Sequence, residues 1–444
     1  YFTETHTSKP HWLAIDTFAN QCHFAHAIGF TQLPTHTVFC LSYRAKHSGQ
    51  EQDVLQRQPS NHRHNPLQLV RFDPPQKTPT VVLDYAVDLF TFDRYMAVTV
   101  ARGTSLALFV SVDGTTFKEA QFPPQVSVTP NQFTLFQTAT GAVFVDVLRS
   151  TDQGQEYGSL FVSNLDGTYY NLVLTDTNRD HTGLVDFEPV PGVQGIVLAN
   201  RVANADALGQ VGQRKAVQSM VSFTDGRTWA RISAPLVDAR EKRYECGQEC
   251  YVNLHGYTDV TDADSMLKTA AAPGLMVAVG SVGPQLAPYE QSNTFITANA
   301  GRSWKEIRRG PFRHALGDHG ALVVLVNDAT ATNQVVYSWD RGATWSSYVF
   351  SDHPVRVTSL ITAGDATSLK FLITGYRLST VGDHRTALIA LDFSGTTLRR
   401  CTLNIHESDP NDFELWTPGA NVDERCHMGK EVSYWRRKAN ALCT

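Results

Sequence analysis

Short apolar runs of strand length recur along the whole chain, at 81–83, 97–100, 106–110, 142–148, 196–199, 275–279, 321–326 and 369–374. Each is rich in β-branched or aromatic residues and is bounded by Gly, Asp, Asn, Thr or Pro, as strands are. Segments with a 3.6-residue period are nearly absent, so the pattern predicts an all-β protein. One helix is expected, over 428–442, where Lys430, Glu431, Arg436, Arg437 and Lys438 surround Val432, Tyr434, Trp435 and Leu442.

A longer repeat is laid over these runs. An apolar strand ending in Ser or Thr, a turn carrying Asp, Asn or Gly, and then an aromatic residue recur as LFVSVDGTTF, LFVSNLDGTYY, SMVSFTDGRTW, TFITANAGRSW and VVYSWDRGATW. Their hydroxyl residues are Ser111, Ser163, Ser222, Thr297 and Ser338, spaced by 52, 59, 75 and 41 residues. An eroded sixth copy is expected at the start, ending on Trp12.

The last copy fits SxDxGxTW at every fixed place, with Ser338, Asp340, Gly342, Thr344 and Trp345. This is the Asp-box. The carboxylate accepts backbone N–H bonds within its own turn, Gly takes a positive φ, and the aromatic tucks under the hairpin. Thr297, Asn299, Gly301, Ser303 and Trp304 form a second good match, with Asn for Asp. In the Ser222 copy the acidic residue, Asp225, sits one place late, and the Ser111 copy is one residue short. Five copies at blade-sized intervals predict an Asp-box β-propeller, and both Asp340 and Asp225 are assigned to turn chemistry. The motif is structural and does not identify a function.

Composition narrows the classes. The 444 residues are 42% hydrophobic and 18% charged with a net charge of −5, which suits a packed core and gives little attraction to nucleic acid. No stretch approaches the length of a membrane span. The chain opens on Tyr1 without a signal-peptide pattern, and it reads as a fragment or processed product. The seven cysteines are Cys22, Cys40, Cys246, Cys250, Cys401, Cys426 and Cys443. An odd number leaves one free, paired with another chain, or paired with sequence outside this one.

The C-terminal half carries more specific signals. Cys246-Gly-Gln-Glu-Cys250 is followed by Tyr-Val-Asn-Leu-His255-Gly256, and Gly280-Ser-Val-Gly283 precedes the Asp-box at Thr297. After the final Asp-box come Cys401, an acidic stretch from His406 to Trp416, Cys426-His-Met-Gly429, Tyr434-Trp-Arg-Arg-Lys438 and Cys443. This order resembles the Vps10 domain of the sortilin family of sorting receptors, strongly after Cys246 and by blade pattern before it.

The resemblance implies about half of a ten-bladed propeller over 1–396 and the beginning of a cysteine-rich module with one helix over 397–444. It implies disulfides Cys22–Cys40, Cys246–Cys250 and Cys401–Cys443, with the partner of Cys426 outside the chain. A half propeller exposes an open edge, so the isolated chain is expected to dimerise or aggregate.

It further implies a non-enzymatic, lumenal ligand-binding region in the secretory pathway. Such a region carries soluble cargo proteins or propeptides from Golgi to endosome or vacuole, with the parent protein anchored by a transmembrane segment beyond Thr444. No cofactor, metal or catalytic residue is expected. The family's carboxylate-anchoring Arg falls on or near Leu106, which cannot pair with a carboxylate. Arg102 is the only nearby substitute, a weak ligand-binding candidate.

The rival class is a sialidase-like or other glycan-active Asp-box propeller. Its nearest motif, Arg231-Ile-Ser-Ala-Pro235, stands where a blade strand is expected. His62-Arg-His64 has a metal-like spacing but lies in a loop-forming context without further ligands. Sixteen histidines suit cargo release on acidification.

Overall fold

The computed structural model describes residues 16, 18–44, 66–74, 76, 78–152, 154–190, 192–210, 212–259, 272–362, 366–378, 384–395, 399–404, 411–418 and 429–444, with three short strands at 2–3, 12–13 and 268–269. The regular structure is β-strand with a few single-turn 3-10 segments, and no α-helix occurs among the described residues. No helix there is long and apolar enough to cross a membrane. The chain divides into two compact units, one of 1–137, 141–147 and 161–172, the other of 138–140, 148–160 and 173–444.

In the first unit Ala19–Phe24, Val38–Tyr43, Leu67–Phe72, Thr80–Thr91, Met96–Arg102 and Ser105–Ser111 follow one another as an antiparallel meander. Cys22 and Cys40 are register partners on adjacent strands and are joined by a disulfide. Phe2–Thr3 pairs with Trp12–Leu13, so a strand stands where the eroded copy was expected. Phe39, Leu41, Leu69, Met96 and Val98 pack around Phe30 in one cluster, and Leu108, Val110, Val143, Val145 and Phe161 form another.

In the second unit the blade is plain. Phe312–Gly317, Leu322–Asn327, Gln334–Ser338 and Ser346–Val349 form a four-stranded antiparallel sheet, with the Asp-box linking its third and fourth strands. The same succession occurs in Tyr251–Leu254, Met276–Gly283, Asn293–Thr297 and Lys305–Arg308, and in Phe187–Pro189, Val197–Val202, Val217–Ser222 and Ala230–Ser233. Arg356–Thr362, Lys370–Leu378 and His384–Asp392 make a three-stranded sheet.

The second strand of each four-stranded sheet is covered on both faces, which explains why 196–199, 275–279 and 321–326 are apolar without alternation. Leu322, Val323, Val324, Leu325 and Val326 are all fully buried, at about 1.5 to 3 kcal/mol per side chain of that kind. The fold is all-β, of Asp-box propeller blades. One departure is that two blades are continuous, because Ile232 pairs with Val252 and Ser233 with Tyr251.

The helix expected over 428–442 is not formed. Tyr434–Arg437 is instead a strand antiparallel to Phe413–Trp416, with Arg436 opposite Glu414 and Tyr434 opposite Trp416. Successive strand side chains point to opposite faces, and this sends Arg436 and Arg437 to different partners. Those tertiary bonds override a helical propensity worth only tenths of a kcal/mol per residue. The Cys401–Cys443 disulfide closes the segment.

Candidate functional site

The Asp-box side chains act as their spacing predicts. Ser338 Oγ donates to Asp340 Oδ1 at 2.7 Å and accepts from the Gly342 N–H at 2.8 Å, while Asp340 accepts from Thr344 N at 2.8 Å and Thr344 Oγ1 at 2.6 Å. Partial desolvation opposes ionisation of Asp340, but these donors outweigh it and its pKa is lowered. In the companion turn, Thr297 Oγ1 donates to Asn299 Oδ1 at 2.9 Å, and Gly301 N and Ser303 N complete the ring. Gly342 and Gly301 have φ of 82° and 85°, and Trp304 is buried in the blade core.

The Ser222 turn corrects one assignment. Its acceptor is Thr224, whose Oγ1 takes the Thr228 N–H at 2.9 Å. Asp225 occupies the positive-φ place that Arg341 and Ala300 hold in the other turns, and its Oδ2 accepts from Thr140 Oγ1 at 2.5 Å. A hydroxyl does the work of the box carboxylate here, which frees the acidic residue beside it. In the short Ser111 copy, Asp113 accepts from Thr115 and Thr116 N–H groups at 2.7 Å each. Against a desolvation penalty, the Thr116 and Thr115 bonds hold its pKa at about 2.

Arg102 forms a bidentate pair with Glu119, both bonds at 2.8 Å, so a ligand carboxylate would have to displace that partner. Leu106 is buried. Arg231 stands on the Ala230–Ser233 blade strand, as the blade reading expects, with Nη2 donating to Asn253 Oδ1 at 3.2 Å and its guanidinium 4.2 Å from the Tyr251 ring centre. Cys246 and Cys250 are bonded across a single 3-10 turn. His62, His64, Cys426 and the 405–410 part of the acidic stretch lie outside the described residues.

The adjacent arginines of the C-terminal strand are docking groups. Arg437 Nη2 donates to Asp318 Oδ2 at 2.6 Å and to Asp318 O at 2.9 Å. Arg436 donates to Glu414 at 2.7 Å and to Ala298 O at 2.5 Å, and its guanidinium lies 4.6 Å from the Trp416 ring centre. Arg341, in the last Asp-box, reaches the same Glu414 at 3.3 Å. Two Asp-box turns thus serve as the platform for the C-terminal strand pair.

A small pocket, partly open to solvent and with room for about one or two water molecules, lies in the second unit. Its walls come from the first two strands of one blade, with Asp186 just ahead of them, and from the end of the first strand of the next: Phe187, Leu198 and Leu254 are apolar, and Asp186, Glu188 and Tyr257 are polar. Asp186 accepts from Asn178 Nδ2 at 2.7 Å, Asn200 Nδ2 at 3.0 Å, Thr258 N at 2.8 Å and Thr258 Oγ1 at 3.0 Å. Burial, helped by the Asp259 charge, raises its pKa despite these donors.

Glu188 Oε2 accepts a hydrogen bond from the Tyr257 hydroxyl. Desolvation pushes the Glu188 pKa up to about 7, with the Tyr257 bond opposing. His255 bridges Asp259 at 2.9 Å and Ser292 Oγ at 2.8 Å. Gly256 is obligatory, because a Cβ there would lie 2.0 Å from the Asp186 carboxyl carbon.

None of these cavity residues stood out from the sequence except within the His255-Gly256 run. The available signal was Asp186 and Glu188, two apart where the chain enters the Phe187–Pro189 strand, a spacing that favours one face.

Two protein-family models match the chain end to end: the one described as sortilin, neurotensin receptor 3, over residues 1–360, and its C-terminal companion over 362–444. The chain belongs to the sortilin/Vps10 family. Among curated members it is 33% identical over 437 residues to vacuolar protein sorting/targeting protein 10 of Mycosarcoma maydis, covering 97% of this chain and 28% of that protein. The protein of the same name from Laccaria bicolor is 33% identical over 436 residues, covering 98% and 29%. This sortilin/Vps10 chain therefore spans under a third of the length of those relatives. The β-propeller domain of the Trilobed protease from Pyrococcus furiosus overlaps 80% of the chain and 93% of that domain, at 8% identity and a TM-score of 0.29, a superposition too loose to bear on the fold.

Proposed function

We propose that this chain is the ligand-binding region of a vacuolar sorting receptor, a non-enzymatic part that captures soluble proteins or propeptides in the lumen of the secretory pathway for delivery from Golgi to endosome or vacuole. On this reading residues 1–396 supply blades from the C-terminal half of the propeller and 397–444 open the cysteine-rich module, with the membrane anchor elsewhere in the parent protein. The observation that carries the reading is the nearly full-length match of the chain to relatives named for vacuolar protein sorting. Three disulfides agree with an oxidising compartment. The turn carboxylates Asp340 and Asp113 are spent on their own backbones, which leaves them unsuited to acid–base catalysis.

The test is genetic. Deleting the gene for the full-length protein in its own cells should divert soluble vacuolar hydrolases into the medium, and reintroducing it should restore their retention. Unchanged retention after deletion would remove the receptor reading.

A further inference from the structure

Two arginines share one sheet face of the second unit without a carboxylate partner. Arg201 lies on Val197–Val202 opposite Gln218, and Arg231 lies on Ala230–Ser233 opposite Met220 of the strand between them, Val217–Ser222. Gln218 and Met220 are two apart, so all four side chains leave the same face. The two arginine backbones are then two strand spacings apart, roughly 10 Å across the sheet, a gap that two long side chains can close over Gln218.

Both guanidinium groups have donors left over. That of Arg231 lies 4.2 Å from the Tyr251 ring centre, with Nη2 donating to Asn253 Oδ1 at 3.2 Å and to Pro284 O at 3.0 Å. Arg201 makes no hydrogen bond or ion pair among the described residues. The Nε of each is sealed from water without an acceptor, a costly condition for a charged donor. The side chains as a whole are half-buried, and Arg201 Nη1 and Nη2 and Arg231 Nη1 are neither bonded nor sealed. Burial lowers the Arg231 pKa; Tyr251 and Glu249 oppose this, and the Arg201 charge adds to it. The two arginines therefore feel each other's charge.

Other arginines of this unit meet carboxylates, as Arg309 meets Asp238, Arg313 meets Asp328 and Arg437 meets Asp318. Arg201 and Arg231 do not, so this face holds two like charges without a counter-charge in contact. A carboxylate ligand would cancel one of them. A phosphate monoester carries a charge of about −1.5 to −2 near neutral pH and three acceptor oxygens, enough to cancel both and to give each guanidinium an oxygen.

We propose that this face binds the phosphate group of a phosphate monoester, with Arg201 Nη1 and Nη2 on one side of the anion and Arg231 Nη1 on the other. The Tyr251 ring, Asn253 and Pro284 O hold Arg231 in place for it. The site does not depend on the receptor reading above. A phosphorylated side chain and a phosphorylated sugar present the same group, and the probes below separate these sources.

Purified full-length protein is titrated into N-acetyl-phosphoserine methylamide or glucose 6-phosphate, and broadening of the phosphorus NMR line reads binding. At least one probe should bind, the tighter one naming the source, and sulfate should displace it at concentrations where acetate does not. Arg201→Gln and Arg231→Gln should each weaken binding by about tenfold, as expected for a lost charge-assisted bond, and the double variant should abolish it. Arg308 is the control for lost net charge, since it lies 4.9 Å from the Trp345 ring centre with its Nε also lacking an acceptor, but on another blade. Arg308→Gln should bind as the wild type does.

Binding of neither probe, displacement by acetate as readily as by sulfate, or equal affinity in the wild type and the double variant would overturn the phosphate site. So would a loss in Arg308→Gln as large as that in Arg201→Gln. Circular dichroism checks that the variants fold. If Arg231→Gln does not, Arg201→Gln, which removes no bond made within the described residues, carries the test by itself.

Discussion

Arg437 Nη2 lies 2.6 Å from Asp318 Oδ2, joining the C-terminal strand pair to the blade of Phe312–Gly317 through two side chains that are 8% and 9% exposed. Arg437 also donates to Cys443 O, next to the terminal disulfide. The Arg-Arg pair thereby couples three parts of the second unit: an Asp-box turn, a blade and the disulfide-closed end. Removing one partner of a buried pair leaves the other charge unsatisfied, at about 3 to 5 kcal/mol. Arg437→Ala should lose stability on that scale and expose the 399–444 region to protease. Denaturant unfolding and limited proteolysis measure both, and a change of less than about 1 kcal/mol would refute buried pairing.

Gly256→Ala should be similarly damaging for a different reason. The added methyl would meet the Asp186 carboxyl at 2.0 Å, and Asp186 is itself held by four hydrogen bonds. The strand must shift or the carboxyl must give up donors, a cost of about 1 to 3 kcal/mol for overpacking and more if a bond is lost. Thermal unfolding checks this, and an unchanged midpoint would show that the cluster is not packed as described.

The two good Asp-boxes make an internal comparison. Asp340 has a lowered folded-state pKa, so the stability it contributes is present above its unfolded pKa and is lost as pH falls through the folded value. Asn299 does the same work uncharged. Asp340→Asn should keep the turn and flatten the acid limb of the stability profile, whereas Asp340→Ala should cost about 1 kcal/mol near neutral pH. Unfolding curves between about pH 3 and about pH 7 separate the two, and parallel profiles for Asp340→Asn and wild type would contradict the assignment.

Glu188 has the opposite sign. Its folded pKa is raised, from 4.5 to about 7, so its favourable contribution is full below the unfolded pKa and is lost as pH rises toward about 7. The stability difference between Glu188→Gln and wild type should therefore move in the variant's favour, by on the order of 3 kcal/mol, between about pH 4 and about pH 8. A difference that stays constant with pH, measured by denaturant unfolding without ligand, would rule out an elevated Glu188 pKa.

Local chemistry made the blades legible from the sequence. The Asp-box carries its acceptor, its Gly and its aromatic within eight residues, and the apolar runs are long enough to mark the strands covered on both faces. The C-terminal strand was misread as a helix because Arg436 and Arg437 look like a solvated helical face until Asp318, Glu414 and Ala298 are brought beside them. Asp225 was misassigned for a related reason, since only the folded turn shows Thr224 supplying the acceptor.

The strand periodicity, the turn chemistry and the cysteine spacing are properties of neighbouring residues, so the chain declares them without being folded. The cavity is not such a property. Asp186 and Glu188 acquire their character from Asn200, Leu254, Tyr257 and Thr258, which lie up to 72 residues away and remove water from the carboxyls. Desolvation and convergent hydrogen bonding depend on what surrounds a group in space, and only the packing of one blade against the next decides that.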